Sequence, residues 1–287
     1  MEYFIHIAIL VCIYGILGLS LNLVVGEAGL LSVSHAAFYG IGAYATALLM
    51  IGGTNFLVAM LVGMILAGLV ALAVGTVFSR FDGVYYALGT LGFNVIVYSV
   101  FLNWQSVTHG PLGVPGIPRP SLFGFGFSEN GAFLLLAVML LACVYGVSKR
   151  ITRSSFGRVL HAIREDEEAI AIFGYSVSVF KLVIFVISAM LAAIAGALYA
   201  SYITYIDPSS FTLNESIFVL AIIILGGLAS SEGAILGAFL LIILPEALRF
   251  VGFPTDIAAQ MRQVVYGLLL ILLMLYHPQG ILGKFRM

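Results

Sequence analysis

An all-α polytopic membrane protein is the fold class this sequence predicts, with about nine transmembrane helices, some broken or re-entrant, and one short helix on the cytoplasmic side. Of 287 residues, 62% are hydrophobic and only 9% charged. Soluble domains carry roughly 25% charged residues, so most of this surface has to face lipid. The apolar residues also fall in runs near the length of about 20 that a helix needs to cross the hydrocarbon core, and mean hydropathy is +1.16.

The runs lie near 4–25, 36–51, 56–79, 84–103, 131–148, 182–204, 215–228, 233–250 and 263–277. The second and seventh are short and adjoin glycine-rich turns. The first starts at Tyr3 without a basic leader and reads as a retained span rather than a signal peptide. Cys12 and Cys143 sit inside apolar runs and read as small core residues, not a disulfide or metal pair. A net charge of −1 excludes a basic nucleic-acid binder.

Lys and Arg set the orientation. The 149–181 loop holds Lys149, Arg150, Arg153, Arg158, Arg164 and Lys181 and is placed in the cytoplasm. Counting outward puts Arg80, Lys284 and Arg286 on the same side, and leaves Arg119, Arg249 and Arg262 outside. The N-terminus then faces out and the C-terminus in. The outer segment 104–130 contains THGPLGVPGIPRP, whose prolines block a helix. It reads either as a lid over a pore mouth or as a plain connector.

Two regions look like broken helices. In 20–44, a span ends at Gly26-Glu27-Ala28-Gly29, then Ser32, Ser34 and His35 precede a glycine-rich span. In 221–238, a span ends at Gly226-Gly227, and Ser230, Ser231 and Glu232 follow. Glycine-interrupted short spans in both halves of a chain point to a transport pathway, because non-helical backbone at membrane depth is tolerated only against protein or a water-filled cavity. The other reading makes both regions surface turns, with Glu27 and Glu232 in water. Asn22, Thr90 and Asn94 are polar within spans, where polar groups are costly. Each either lines a pathway or bonds a neighbouring helix. With Gly26, Gly29, Ser32, His35, Gly226 and Gly227 they form the candidate pathway set, although His35 also reads as a packing histidine. Small residues four apart (Gly63, Ala67, Ala71, Gly75; Ala189, Ala193, Ala197) read as helix-packing faces. The sequence shows no HExxH, Cys/His cluster or paired intramembrane carboxylates, and no acid deep in a span for a proton relay.

Within 152–181, Phe156, Val159, Leu160, Ile163, Ile170 and Phe173 recur at helical spacing, and Gly174 stops the helix. The apolar face calls for a cover. The acid run Glu165–Glu168 would repel an anionic lipid surface, so a protein partner is expected.

Glu168-Ala169-Ile170-x-x-x-Gly174 resembles the EAA loop of prokaryotic ABC importer permeases, with isoleucine at the second alanine position. GEAGLLSVSHAAFYGIGAY (26–44), THGPLGVPGIP (108–118), FGRVLHAIREDEEAIAIFGY (156–175), residues 194–227 and HPQGILG (277–283) occur in that order. Together they resemble the branched-chain amino acid permease family, and within it the second of the two paired permease subunits, from about residue 15 to the end. The resemblance implies one permease domain over 1–287. It also implies a coupling helix seated in an ATPase cleft, with Arg158, His161, Arg164, Glu167, Glu168, Ala169 and Gly174 as coupling residues. The implied partners are a similar permease, two cytoplasmic ATP-binding subunits and an extracytoplasmic binding protein, in the inner membrane of a prokaryote. The chain has no G-x-x-x-x-G-K-[ST], so the implied arrangement puts ATP on the partners and no cofactor here. The resemblance leaves open urea or short amides in place of Leu, Ile and Val. The residues alone also permit an ATP-independent channel or secondary carrier. An intramembrane enzyme lacks a visible nucleophile–base or metal constellation.

Overall fold

The computed structural model describes residues 2–122, 125–127, 129–249, 267–268 and 280–283. Helix α1 (Glu2–Asn22) runs on through one π turn, Leu23–Glu27. Next come α2 (His35–Ile51), α3 (Phe56–Phe78), α4 (Gly83–Asn103) and the short α5 (Gln105–Thr108). After small pieces β1 (Val114–Pro115), β2 (Ser121–Leu122) and β3 (Phe125–Gly126) come α6 (Asn130–Arg153), α7 (Ser155–Glu165), α8 (Glu167–Ile172) and α9 (Val177–Ile203). Then β4 (Tyr205–Ile206), α10 (Leu213–Gly226) and α11 (Ser231–Arg249) close the described chain.

Among the described residues, five helices are long and apolar enough to cross a membrane: α1 with its π turn, α3, α4, α6 and α9. The chain is thus an all-α, multi-pass membrane protein, but the described residues do not give nine crossings. The expected seventh and eighth spans are the two arms of one pair, α10 and α11, bent by 118°; counted as one broken span, the pair makes six. The reason is length: at 1.5 Å per residue, fourteen residues reach about 21 Å, short of the roughly 30 Å core. Helix α2 has 17 residues and is also short. Apart from residues 267–268, the expected run 263–277 lies outside the described residues, as do Arg262, Lys284 and Arg286.

Helices α1 and α9 form the buried centre. Helix α2 is sandwiched against α9 and α3, and small residues permit it. A β-carbon on Gly196 would collide with the Tyr39 carbonyl oxygen, and one on Gly42 with the backbone of Ala193. On α3, Gly63, Ala67, Ala71 and Gly75 are buried, while Val62, Leu66, Leu69 and Leu72 are exposed. The small-residue faces are therefore packing faces, and the exposed stripe suits lipid.

One end carries Glu2, Arg119, Asn130 and Tyr202. Asn130 Nδ2 donates to Glu2 (2.7 Å), Arg119 Nη1 donates to Asn130 Oδ1 (3.0 Å), and the Arg119 guanidinium lies 5.9 Å from the Tyr202 ring centre. The proline-rich segment is tied down at this end. Strand β1 pairs with β4 antiparallel, and Val114 and Ile117 are buried. The opposite end carries Asp82, Lys149, Lys181, Glu232, α7 and α8. Lys149 pairs with Glu232 at 2.9 Å, and Lys181 pairs with Asp82 at 2.8 Å and Glu167 at 2.6 Å.

Candidate functional site

The residues singled out in the sequence separate into two clusters and one segment, α7–α8. The first cluster joins the two broken helices at the Lys149/Lys181 end. The π turn that widens the end of α1 places Asn22 beside the turn between α10 and α11, and Asn22 Oδ1 accepts from the Ala229 N–H at 3.0 Å. π turns inside helices often mark functional positions. Gly26 fits because a β-carbon there would collide with Asn22 and the Ala229 amide, and Gly226 because its backbone lies against that of Gly233. Gly227 lies against Gly280 and Gly283, where Ile281 and Leu282 N–H groups donate to the Leu225 and Gly226 carbonyls (3.1 and 2.9 Å). This caps the carbonyls that α10 leaves open at its C-terminus.

Helix α7 meets this cluster. Arg164 Nη1 donates to the Gly26 carbonyl, and its aliphatic stem covers Gly29. His161 Nε2 stands 2.7 Å from Glu27 Oε2. Glu27 is 2% exposed, so the reading that left it in water is corrected; a buried carboxylate needs a partner, and α7 supplies one. Glu232 is the solvent-facing glutamate, held by Lys149 and by Tyr145 at 2.7 Å. A polar cavity of about 140 Å³ separates the two glutamates, lined by Lys149, Thr152, Arg153 and His161 among others. Burial lowers the Arg164 pKa, while Glu165 and Glu27 oppose that shift. Asn22→Ala strips the partner from the buried Ala229 N–H. An unpaired buried donor costs about 1–3 kcal/mol, so the purified variant is expected to melt earlier in detergent, and an unchanged thermal midpoint would remove Asn22 as the link.

The second cluster collects Ser32, His35, Thr90 and Asn94 with Ser34 of the same polar stretch and two residues that the sequence did not single out, Ser188 and Ser216. Residues 28–34 are non-helical, and side chains supply the partners that lipid cannot. Val33 N–H donates to Thr90 Oγ1 (3.2 Å), Ala36 N–H to Ser216 Oγ (2.9 Å), and Ser216 Oγ to Asn94 Oδ1 (3.5 Å). His35 Nε2 lies 2.9 Å from Ser188 Oγ, which donates to the Ser20 carbonyl, and the Ser32 and Ser34 hydroxyls are 3.1 Å apart. His35 thus packs as a bonded core histidine. The N-terminal turns of α2 and α10 meet here, next to Asn94, whose Nδ2 has no partner among the described residues.

The segment α7–α8 differs from the expected single helix. It breaks at Asp166, whose side chain caps α8 by accepting the Ala169 N–H at 3.0 Å. The α7 face is already covered within the chain: Leu160 and Ile163 are buried. The apolar surface without a cover lies beyond the break, where Ile172 is 86%, Phe173 78% and Tyr175 48% exposed. Glu167 turns back to the buried Lys181, while Arg158, Glu168 and Gly174 lie on the exposed side. The missed residues share a signal: Lys181, Ser188 and Ser216 are the polar interruptions in otherwise apolar runs.

The family described as branched-chain amino acid transport system permease component matches residues 3–274. The chain is 37% identical to the LivM high-affinity branched-chain amino acid transport system permease protein of Escherichia coli K12, over 98% of this chain and 70% of that one. It is 39% identical to LivM of Salmonella typhimurium LT2, with the same coverage. Against the BraD permease protein of Pseudomonas aeruginosa PAO1 it is 30% identical, over 94% of this chain and 92% of that one. No solved structure matches.

Proposed function

The chain belongs to the branched-chain amino acid transport permease family, and from that premise we propose that it is the LivM-type permease subunit of an ATP-driven importer for leucine, isoleucine and valine in a prokaryotic inner membrane. A permease subunit contributes a path and no bond chemistry, so ATP is hydrolysed on separate subunits. The observation that carries the reading is the continuity from the exposed Ile172–Phe173 surface, through α7, to the Gly26 carbonyl and Glu27 at the broken end of α1.

The proposed cycle follows that line. Two ATPase subunits seat the exposed ends of α8, here and on a second, similar permease. When they close on ATP, α7 moves with α8 and carries the first cluster. Because Asn22 holds Ala229, the α1 and α10–α11 breaks shift together. Lys181 ties α8 to α9 through Glu167, and α9 holds His35 through Ser188, two turns further along. The same movement therefore reaches the mid-depth cluster. An extracytoplasmic binding protein supplies affinity, so the path itself needs only weak sites. Docking of Ile281 and Leu282 at the α10 end supports a C-terminus on the cytoplasmic side.

Substrate class is tested by competition against labelled L-leucine uptake by the assembled complex. Valine and isoleucine are expected to compete, and urea and acetamide are not. The reverse order would reassign the chain to amide transport within the same family.

A further inference from the structure

We propose that the mid-depth cluster is a bipolar site for a free α-amino acid, in which Glu215 takes the ammonium group, and the Asn94 amide with the first turn of α2 takes the carboxylate. The proposal rests on the reading above and adds residues to it.

Glu215 is an acid deep in the membrane, although it opens the apolar run 215–228 and so sits at its edge in sequence. Its carboxylate accepts from the Tyr14 hydroxyl at 2.6 Å. Tyr14 stands twelve residues along α1 from Glu2, about 18 Å below that end and at similar distance from Glu27. A carboxylate at that depth is costly without a charge to match it. Yet among the described residues Glu215 has no Lys, Arg or His partner, and the ion pairs lie at the other clusters. Glu215 is only half-buried, and Ile217, two residues on, is 49% exposed, so the acid is reachable from the surface of this chain.

Its surroundings suit an ammonium. The Tyr39 hydroxyl is buried without a partner among the described residues, within electrostatic reach of both Tyr14 and Glu215. The Tyr39 ring lies 5.4 Å from that of Tyr199 and 5.2 Å from that of Phe211, and Tyr14 stands edge-on to Phe218 at 5.4 Å. Aromatic faces attract cations.

The residue after Glu215 carries the other pole. Ser216 holds the Ala36 N–H and touches Asn94. Asn94 is 1% exposed and its Nδ2 is unpartnered. A half-helix N-terminus together with an unused amide N–H suits a carboxylate. Ser216, next to Glu215 on α10, thus joins the acid to the donors, since it bonds the first turn of α2 and touches Asn94 on α4.

The test is thermal unfolding of the complete purified transporter without binding protein, in the presence of L-leucine, 3-methylbutylamine (leucine without its carboxylate) or 4-methylpentanoate (leucine without its amine). The unaltered complex is expected to be stabilised by leucine, less by the amine, and not by the acid, which Glu215 repels. Glu215→Gln is expected to lose the response to the amine and gain one to the acid, while Glu215→Asp keeps the original order. A purely structural role for Glu215 would not invert a ligand preference. The same order in Glu215→Gln as in the unaltered complex overturns the proposal. So does an unaltered complex that answers the acid as strongly as leucine, or answers none of the three; these two results stand even if the Gln variant does not assemble. Loss of ATP-driven leucine uptake by the unaltered complex would instead strike the reading beneath. Uptake intact with the order uninverted removes only the bipolar site.

Discussion

Phe173→Asp is expected to cut ATP-driven leucine uptake by roughly tenfold or more while leaving membrane insertion and thermal stability unchanged. Phe173 and Ile172 project from the end of α8, 78% and 86% exposed, and touch nothing that holds the fold together. An aromatic anchor at the centre of an interface costs about 2 kcal/mol or more when removed, and about 1.4 kcal/mol is already tenfold in affinity. A charge buried in the partner's cleft adds a desolvation cost. The check is uptake beside the amount of chain in the membrane fraction, with co-purification of the ATPase subunits as a second readout. Normal uptake with normal co-purification would show that the exposed end of α8 is not the docking surface.

Arg164→Ala is expected to uncouple the transporter rather than disassemble it. Arg164 faces inward: its guanidinium bonds the Gly26 carbonyl of the π turn and its stem covers Gly29. Its removal leaves that carbonyl without this donor, opens space at Gly29, and leaves His161 as the remaining α7 side chain on Glu27. The exposed face of α8 is untouched, so the ATPases still dock and hydrolyse ATP. The expected signature is uptake reduced by about tenfold to a hundredfold, the size expected for loss of a charged hydrogen bond worth about 1.5–3 kcal/mol, with ATP hydrolysis largely retained. Arg164→Lys is expected to recover only part, since an ammonium cannot reproduce the planar guanidinium. Equal losses of hydrolysis and uptake would make Arg164 a docking residue and move the joint elsewhere.

Much of the fold was legible because lipid imposes a strong rule: long apolar runs become helices, and their ends fell within a few residues of the expected positions. The crossing count was less legible. Residues 215–228 have the composition of a span, but nothing in composition says that Gly227–Ser230 folds α10 back on α11. The same boundary hid Glu215, which reads as interfacial by its place in the run and is deep only because Tyr14 reaches it. The choice between the two readings of Glu27 was hidden for a related reason, since its partner His161 is 134 positions away. The helix break at Asp166 was legible in principle, as aspartate three residues before Ala169 is a capping signal, but it lay inside an acid run that also suits an exposed helix face. The candidate pathway residues were legible only as polar or glycine interruptions in apolar runs. Their division into an end cluster and a mid-depth cluster depends on tertiary contacts that no local pattern encodes.

The most direct test of the account is uptake of labelled L-leucine into proteoliposomes holding this chain with a second permease and the two ATPase subunits, with ATP and the binding protein each supplied or withheld. An ATP-driven importer predicts uptake only when both are present. Leucine flux through this chain alone, indifferent to ATP, would contradict it and make the α8 surface and the Arg164 joint structural features of a channel.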